Sequence, residues 1–116
     1  MKHTLQSDLD AVSQADVDML HDSLALFTEQ SKEFLRYALA NARLFDRKQL
    51  DYGPKNISAF GSFGCIVRMG DKLGRLSNLF MNRKRKVVNE SITDSLRDIS
   101  NYSVIALLWE DGKWQK

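Results

Sequence analysis

Apolar residues in the first half of the chain recur at helical rather than strand spacing. Val17, Leu20, Leu24, Phe27, Phe34, Ala38 and Phe45 stand three, four or seven residues apart, the period that gathers side chains on one side of an α-helix. Ser13 precedes them with Asp16 three residues on, which resembles a helix-capping box. The pattern predicts a long first helix, roughly 14–49, divided near Ser31 or preceded by a short arm. The run Asp51-Tyr52-Gly53-Pro54-Lys55-Asn56 then breaks it, because proline lacks the N–H a helix interior needs and glycine favours a turn.

Between Ser62 and Met81 the apolar residues Phe63, Ile66, Val67, Leu73 and Phe80 share one side of a second predicted helix, with Gly70, Gly74 and Ser77 between them. Asn82 to Lys86, reading NRKRK, is a short basic connection, and Asn89 can cap a third helix running from Glu90 to about Trp109. The expected organisation is a flexible arm over 1–13, one helical domain over 14–110 and a polar tail over 111–116. With one proline, six glycines and few alternating β-branched runs, the fold class is all-α. It is read as a small antiparallel bundle of three to four helices, which dimerisation could complete.

Composition narrows the class further. A chain of 116 residues, 43% of them hydrophobic, closes one core and is short for two ordinary domains. Cys65 is the only cysteine, which excludes an internal disulfide and a zinc-ligand cluster and suits a reducing compartment. The first 14 residues lack the apolar run of a signal peptide, so a cytoplasmic, membrane-free protein is expected. The formal charge of +2 is far from that of dedicated DNA-binding domains, which makes the placement of charges more informative than their sum.

On the second helix Arg68, Asp71, Lys72, Arg75 and Asn78 fall at offsets of three or four and line a face opposite Phe63 and Leu73. Three aligned cations form a candidate phosphate-binding ridge. The alternative is a solvated face on which Asp71 pairs with Arg68 and Arg75. Gly70 and Gly74 each lower helix stability by about 1 kcal/mol relative to alanine, so a close approach to the backbone is expected there, by a neighbouring helix before a ligand.

The third helix carries Glu90, Asp94 and Asp98 four residues apart, with Arg97 and Asn101 nearby; at 3.6 residues per turn they spread over about 80°. Carboxylates in such a set could hold magnesium against a phosphate, or simply meet Arg68, Lys72 and Arg75. Elsewhere the charges read as structural. Glu29 and Glu33 belong to a salt-bridged face with Arg36 and Arg43, and neither His3 nor His21 shows the serine or cysteine and acid partner set of a nucleophilic triad. The RKRK run suits either a solvated loop or contacts to nucleic acid or another protein.

Taken together, Asp51-Tyr52-Gly53, Arg68-Met69-Gly70-Asp71-Lys72-Leu73-Gly74-Arg75, and Glu90 through Asp94 and Asp98 to Asn101-Tyr102 resemble the nucleotide modification associated domain 1 family over about residues 48–108. The resemblance implies a phage or bacterial setting in nucleotide metabolism or phage–host conflict. It further implies similarity to the all-α MazG-like nucleoside triphosphate pyrophosphohydrolases. By that implication Tyr52, Arg68, Asp71, Lys72, Arg75, Asp98 and Asn101 surround a nucleotide, Glu90 and Asp94 serve as catalytic acids, and Glu90, Asp94 and Asp98 hold magnesium. The sequence departs from the paired E-x-x-E and E-x-x-D acids of the MazG-like site, so a magnesium-dependent hydrolase and a non-catalytic nucleotide binder both remain open. A homo-oligomer is expected in either case.

Overall fold

The computed structural model describes residues 2–81 and 86–115, with 86–90 described for their backbone alone. The described chain is helical: α1 spans Leu5–Asp10, α2 Gln14–Ser23, α3 Glu29–Tyr52, α4 Lys55–Ser58, α5 Gly61–Met81 and α6 Lys86–Glu110. Among the described residues no helix is long and apolar enough to cross a membrane. The chain divides into two compact units, Met1–Arg47 and Lys48–Lys116.

In the first unit, the segment read as a flexible arm contains α1. Thr4 and Ser7 cap it reciprocally: the Ser7 amide donates to Thr4 Oγ1 at 3.1 Å and the Thr4 amide to Ser7 Oγ at 2.8 Å, which satisfies two otherwise orphaned donors. Asp8 is fully buried. It accepts from Arg47 through both oxygens, at 2.7 and 2.8 Å, and from Arg43 at 3.4 Å. A carboxylate can be withdrawn from water in this way because charged donors replace its lost solvation.

Ser13 caps α2 as expected, its Oγ accepting from the Asp16 amide at 3.0 Å. The long first helix, however, is divided at residues 24–28 rather than at Ser31. Ala25 adopts φ +53°, the Leu26 amide reaches back to His21 O at 3.1 Å, and Thr28 starts α3 by accepting from the Ser31 amide at 3.2 Å. His21, buried, is 2.9 Å through Nε2 from Thr28 O and ties the turn together. The division takes Leu24, Phe27 and Phe34 off a common stripe, and all three are exposed. Val17 and Ala40 are the buried apolar residues of this unit. Arg36 adds a tie to α2 through Gln14 and the carbonyl of Val12.

In the second unit, α3 ends at Gly53, whose φ of +68° is the left-handed conformation that closes many helices and suits glycine. The core is an antiparallel hairpin of α5 and α6. Leu76 packs with Ile92, Lys72 meets Asp98, Arg68 meets Tyr102, and a Cβ placed on Gly61 would lie 2.5 Å from the Trp109 ring. Each step back along α5 is thus a step forward along α6. Gly61 also has φ +58°, so a side chain there is excluded both by backbone strain and by the indole.

Three sequence expectations change here. The α5 stripe Phe63, Ile66, Val67, Leu73 and Phe80 shares one side of the helix, as read from the sequence, and that side is exposed. Gly61, Cys65 and Leu76 are buried instead, and among the described residues nothing lies within 4 Å of a Cβ on Gly70 or Gly74. Next, α6 begins at Lys86 rather than Glu90, and Asn82–Arg85 lie outside the described residues. Finally, the polar tail is anchored. Gly112 at φ +68° turns the chain so that buried Trp114 donates from Nε1 to Pro54 O at 3.0 Å.

Candidate functional site

Rotation of α5 and α6 about their own axes decides which charges meet. The buried positions of α5, Gly61, Cys65 and Leu76, define its seam with α6. Lys72 lies along that seam and Arg68 at its edge, while Asp71 and Arg75 project into solvent. On α6 Asp98 and Tyr102 point back at them. The basic and acidic faces seen in the sequence therefore adjoin on one side of the hairpin.

At their junction is Asp98, its side chain 15% exposed. Oδ2 is 3.0 Å from Lys72 Nζ, and Oδ1 accepts from Lys48 Nζ at 2.9 Å. Burial pushes the Asp98 carboxyl upward in pKa, but the hydrogen bonds from Lys48 and Lys72, with their charges, outweigh it and hold the group below the usual carboxylate range. One turn further along α6, the Arg68 guanidinium donates to Tyr102 Oη at 3.3 Å and lies 5.8 Å from the ring centroid, within cation–π reach. Below Arg68, burial raises the pKa of the Cys65 thiol, with Arg68 opposing in part. That thiol is accordingly a packing group rather than a nucleophile.

Of the residues singled out in the sequence, Arg68, Lys72 and Asp98 are brought together here, with Arg75 one turn beyond Lys72 on α5 and exposed. Asp94 is exposed one turn before Asp98, Asn101 is half-buried, and Asp71 is exposed. Among the described residues no ion pair joins Asp71 to Arg68 or Arg75. Tyr52, exposed at the end of α3, is one helical turn beyond Lys48 and on the same stripe. Glu90 is on α6, its side chain outside the described residues. Arg97, set beside the acids in sequence, is buried.

Lys48 is the member that sequence patterning did not single out. It belongs to no cationic repeat, and only the folding of the second unit, which begins at this residue, brings it to Asp98.

The magnesium implied by the resemblance requires converging carboxylates. Among the described residues no group of three or more His, Cys, Asp or Glu gathers to hold a metal ion. Asp98 offers both oxygens to ammonium groups instead.

The unit that carries this cluster begins at Lys48, and a family model begins at the same residue. Neither the curated proteins nor the solved structures provide a match. The model, that of nucleotide modification associated domain 1, covers residues 48–109, which include Asp98, both its lysines, Arg68 and Tyr102, and the chain belongs to this family.

Proposed function

We propose that the α5–α6 polar face binds the phosphate groups of a nucleotide without hydrolysing them. The observation that carries this reading is the pair of ammonium groups, Lys48 and Lys72, held on opposite oxygens of one carboxylate, with Arg68 beside them. Family membership supports a nucleotide as the source of the phosphate.

Two flexible lysines ordinarily lose considerable side-chain entropy when they converge on an anion. Asp98 bears that loss in the free protein, so an arriving phosphate meets cations already in position. Arg68 has further guanidinium N–H groups beyond the one given to Tyr102, and a planar donor fork suits phosphate oxygens. Arg75 adds a solvent-exposed positive charge at the rim. Tyr52, in line with Lys48, offers an exposed ring on which a base can stack. Asp94 and Asn101 provide acceptors and an amide for ribose or base.

The deciding experiment exposes the full chain to a panel of nucleoside mono-, di- and triphosphates with and without magnesium, following thermal stability and product release together. Stabilisation without turnover, lost in Arg68→Ala and Lys72→Ala, is the expected result. Turnover that disappears in Asp94→Ala would replace binding with phosphoanhydride hydrolysis. Absence of stabilisation by every nucleotide, with Arg75→Ala altering nothing but stability, would reduce the cluster to a structural salt-bridge network.

A further inference from the structure

The helix α5 presents a second face on which this reading does not depend. Phe63, Ile66, Val67, Leu73 and Phe80 are between 48% and 71% exposed, and no ionisable residue interrupts them. At about 100° per residue this stripe is centred roughly 125° from the α6-facing seam. Leu96, Val104 and Leu107 of α6, each more than half exposed, extend it on the same side of the antiparallel hairpin, away from Lys72 and Asp98. In the middle of the stripe are Gly70 and Gly74, with nothing among the described residues within 4 Å of where a Cβ would be.

We infer that this face packs against the same face of a second copy of the chain, α5 on α5, crossing at Gly70 and Gly74. Three observations select a second copy. The first is area. Scaled by residue size, the exposed apolar groups of the two helices and Met81 amount to on the order of 1,000 Å². That exceeds the roughly 300–600 Å² of the largest patch on a typical monomer and meets the roughly 800 Å² per partner of a standard interface. The second is self-complementarity. A two-fold interface sets one patch against itself, and this patch is low at its centre, at Gly70 and Gly74, and high toward both ends, at Phe63 and Phe80. The third is charge: the stripe is uncharged, so two identical copies meet without repulsion.

Close approach of a second backbone also accounts for two helix-interior glycines that no neighbour within the chain requires. The pairing places two α5–α6 hairpins in a four-helix arrangement and leaves each Asp98 cluster on an outer surface.

Sedimentation equilibrium on the full chain tests the inference, and twice the 13.3 kDa chain mass is expected at micromolar concentration. Gly70→Glu and, separately, Gly74→Glu set a carboxylate into the crossing point. Each is expected to weaken association by at least about 100-fold while far-UV circular dichroism stays helical. Lys55→Glu, on α4, leaves the dimer intact. A monomeric wild-type chain at about 100 µM overturns the proposal. A dimer that survives both glutamates with its mass unchanged overturns it equally, because the contact is then elsewhere.

Discussion

Replacing Asp98 with asparagine separates the structural role of the carboxylate from its effect on a ligand, because the two respond with opposite sign. Asp98→Asn retains shape and removes one charge. Of the two ammonium hydrogen bonds, at 2.9 and 3.0 Å, one keeps a neutral amide oxygen as acceptor and the other is lost, because the amide NH2 cannot accept from a lysine. Bonds to charged groups are worth about 1.5–3 kcal/mol each when sheltered, but Lys48 is 47% exposed and exposed pairs give about 0.2–1 kcal/mol. A combined loss of about 1–2 kcal/mol follows, which for a unit of this size lowers Tm by roughly 5–15 °C. The affinity for phosphate moves the other way. A carboxylate about 6 Å from a bound phosphate repels it by about 1 kcal/mol at an effective dielectric near 60, so its removal tightens binding roughly fivefold. Differential scanning calorimetry and titration calorimetry with pyrophosphate or a nucleoside triphosphate read the two quantities on one preparation. A variant that melts lower and binds tighter agrees with the reasoning. One that loses affinity would refute it, since holding the lysines in position would then contribute more to binding than the repulsion of the carboxylate takes away.

Further consequences concern stability. The folded Asp98 carboxyl is held below its usual range, and a lowered carboxyl pKa stabilises the fold above the unfolded value near 3.9 and ceases to do so as pH falls through the folded value. The urea midpoint of the wild-type chain should therefore drop more steeply between pH 5 and about pH 2 than that of Asp98→Asn. Gly61→Ala drives a methyl into the Trp109 ring at positive φ and should destabilise by about 2–4 kcal/mol, seen as a lower thermal midpoint. Arg47→Ala leaves the buried Asp8 carboxylate with its weaker donor, Arg43, at a loss of about 3 kcal/mol. Hydrogen exchange should locate that loss in α1 and α2 and leave the α5–α6 hairpin protected. Trp114→Phe removes the hydrogen bond to Pro54 and should lower stability by about 1 kcal/mol, measured by chemical denaturation.

Much of this protein is determined by local chemistry and can be read directly from the chain. Ser13 caps α2 because a hydroxyl followed by a free amide three residues on needs nothing distant. The break after Tyr52 follows from Gly53 and Pro54, and the four-residue spacing of Arg68 with Lys72 and of Asp94 with Asp98 puts each pair on one helix face whatever surrounds it. What the tertiary structure alone decided is how each helix is rotated. On α5 the apolar stripe would predict the buried face, yet the seam with α6 runs along Gly61, Cys65, Lys72 and Leu76. Lys72 is tolerated there because Asp98 meets its charge, and Gly61 is required because Trp109 occupies the space. Hydrophobic periodicity cannot separate two such faces, since both satisfy the helical period and only the partner helix distinguishes them. The same holds for Lys48 and Trp114, whose partners, 50 and 60 residues away in the chain, are chosen by packing that no local pattern encodes.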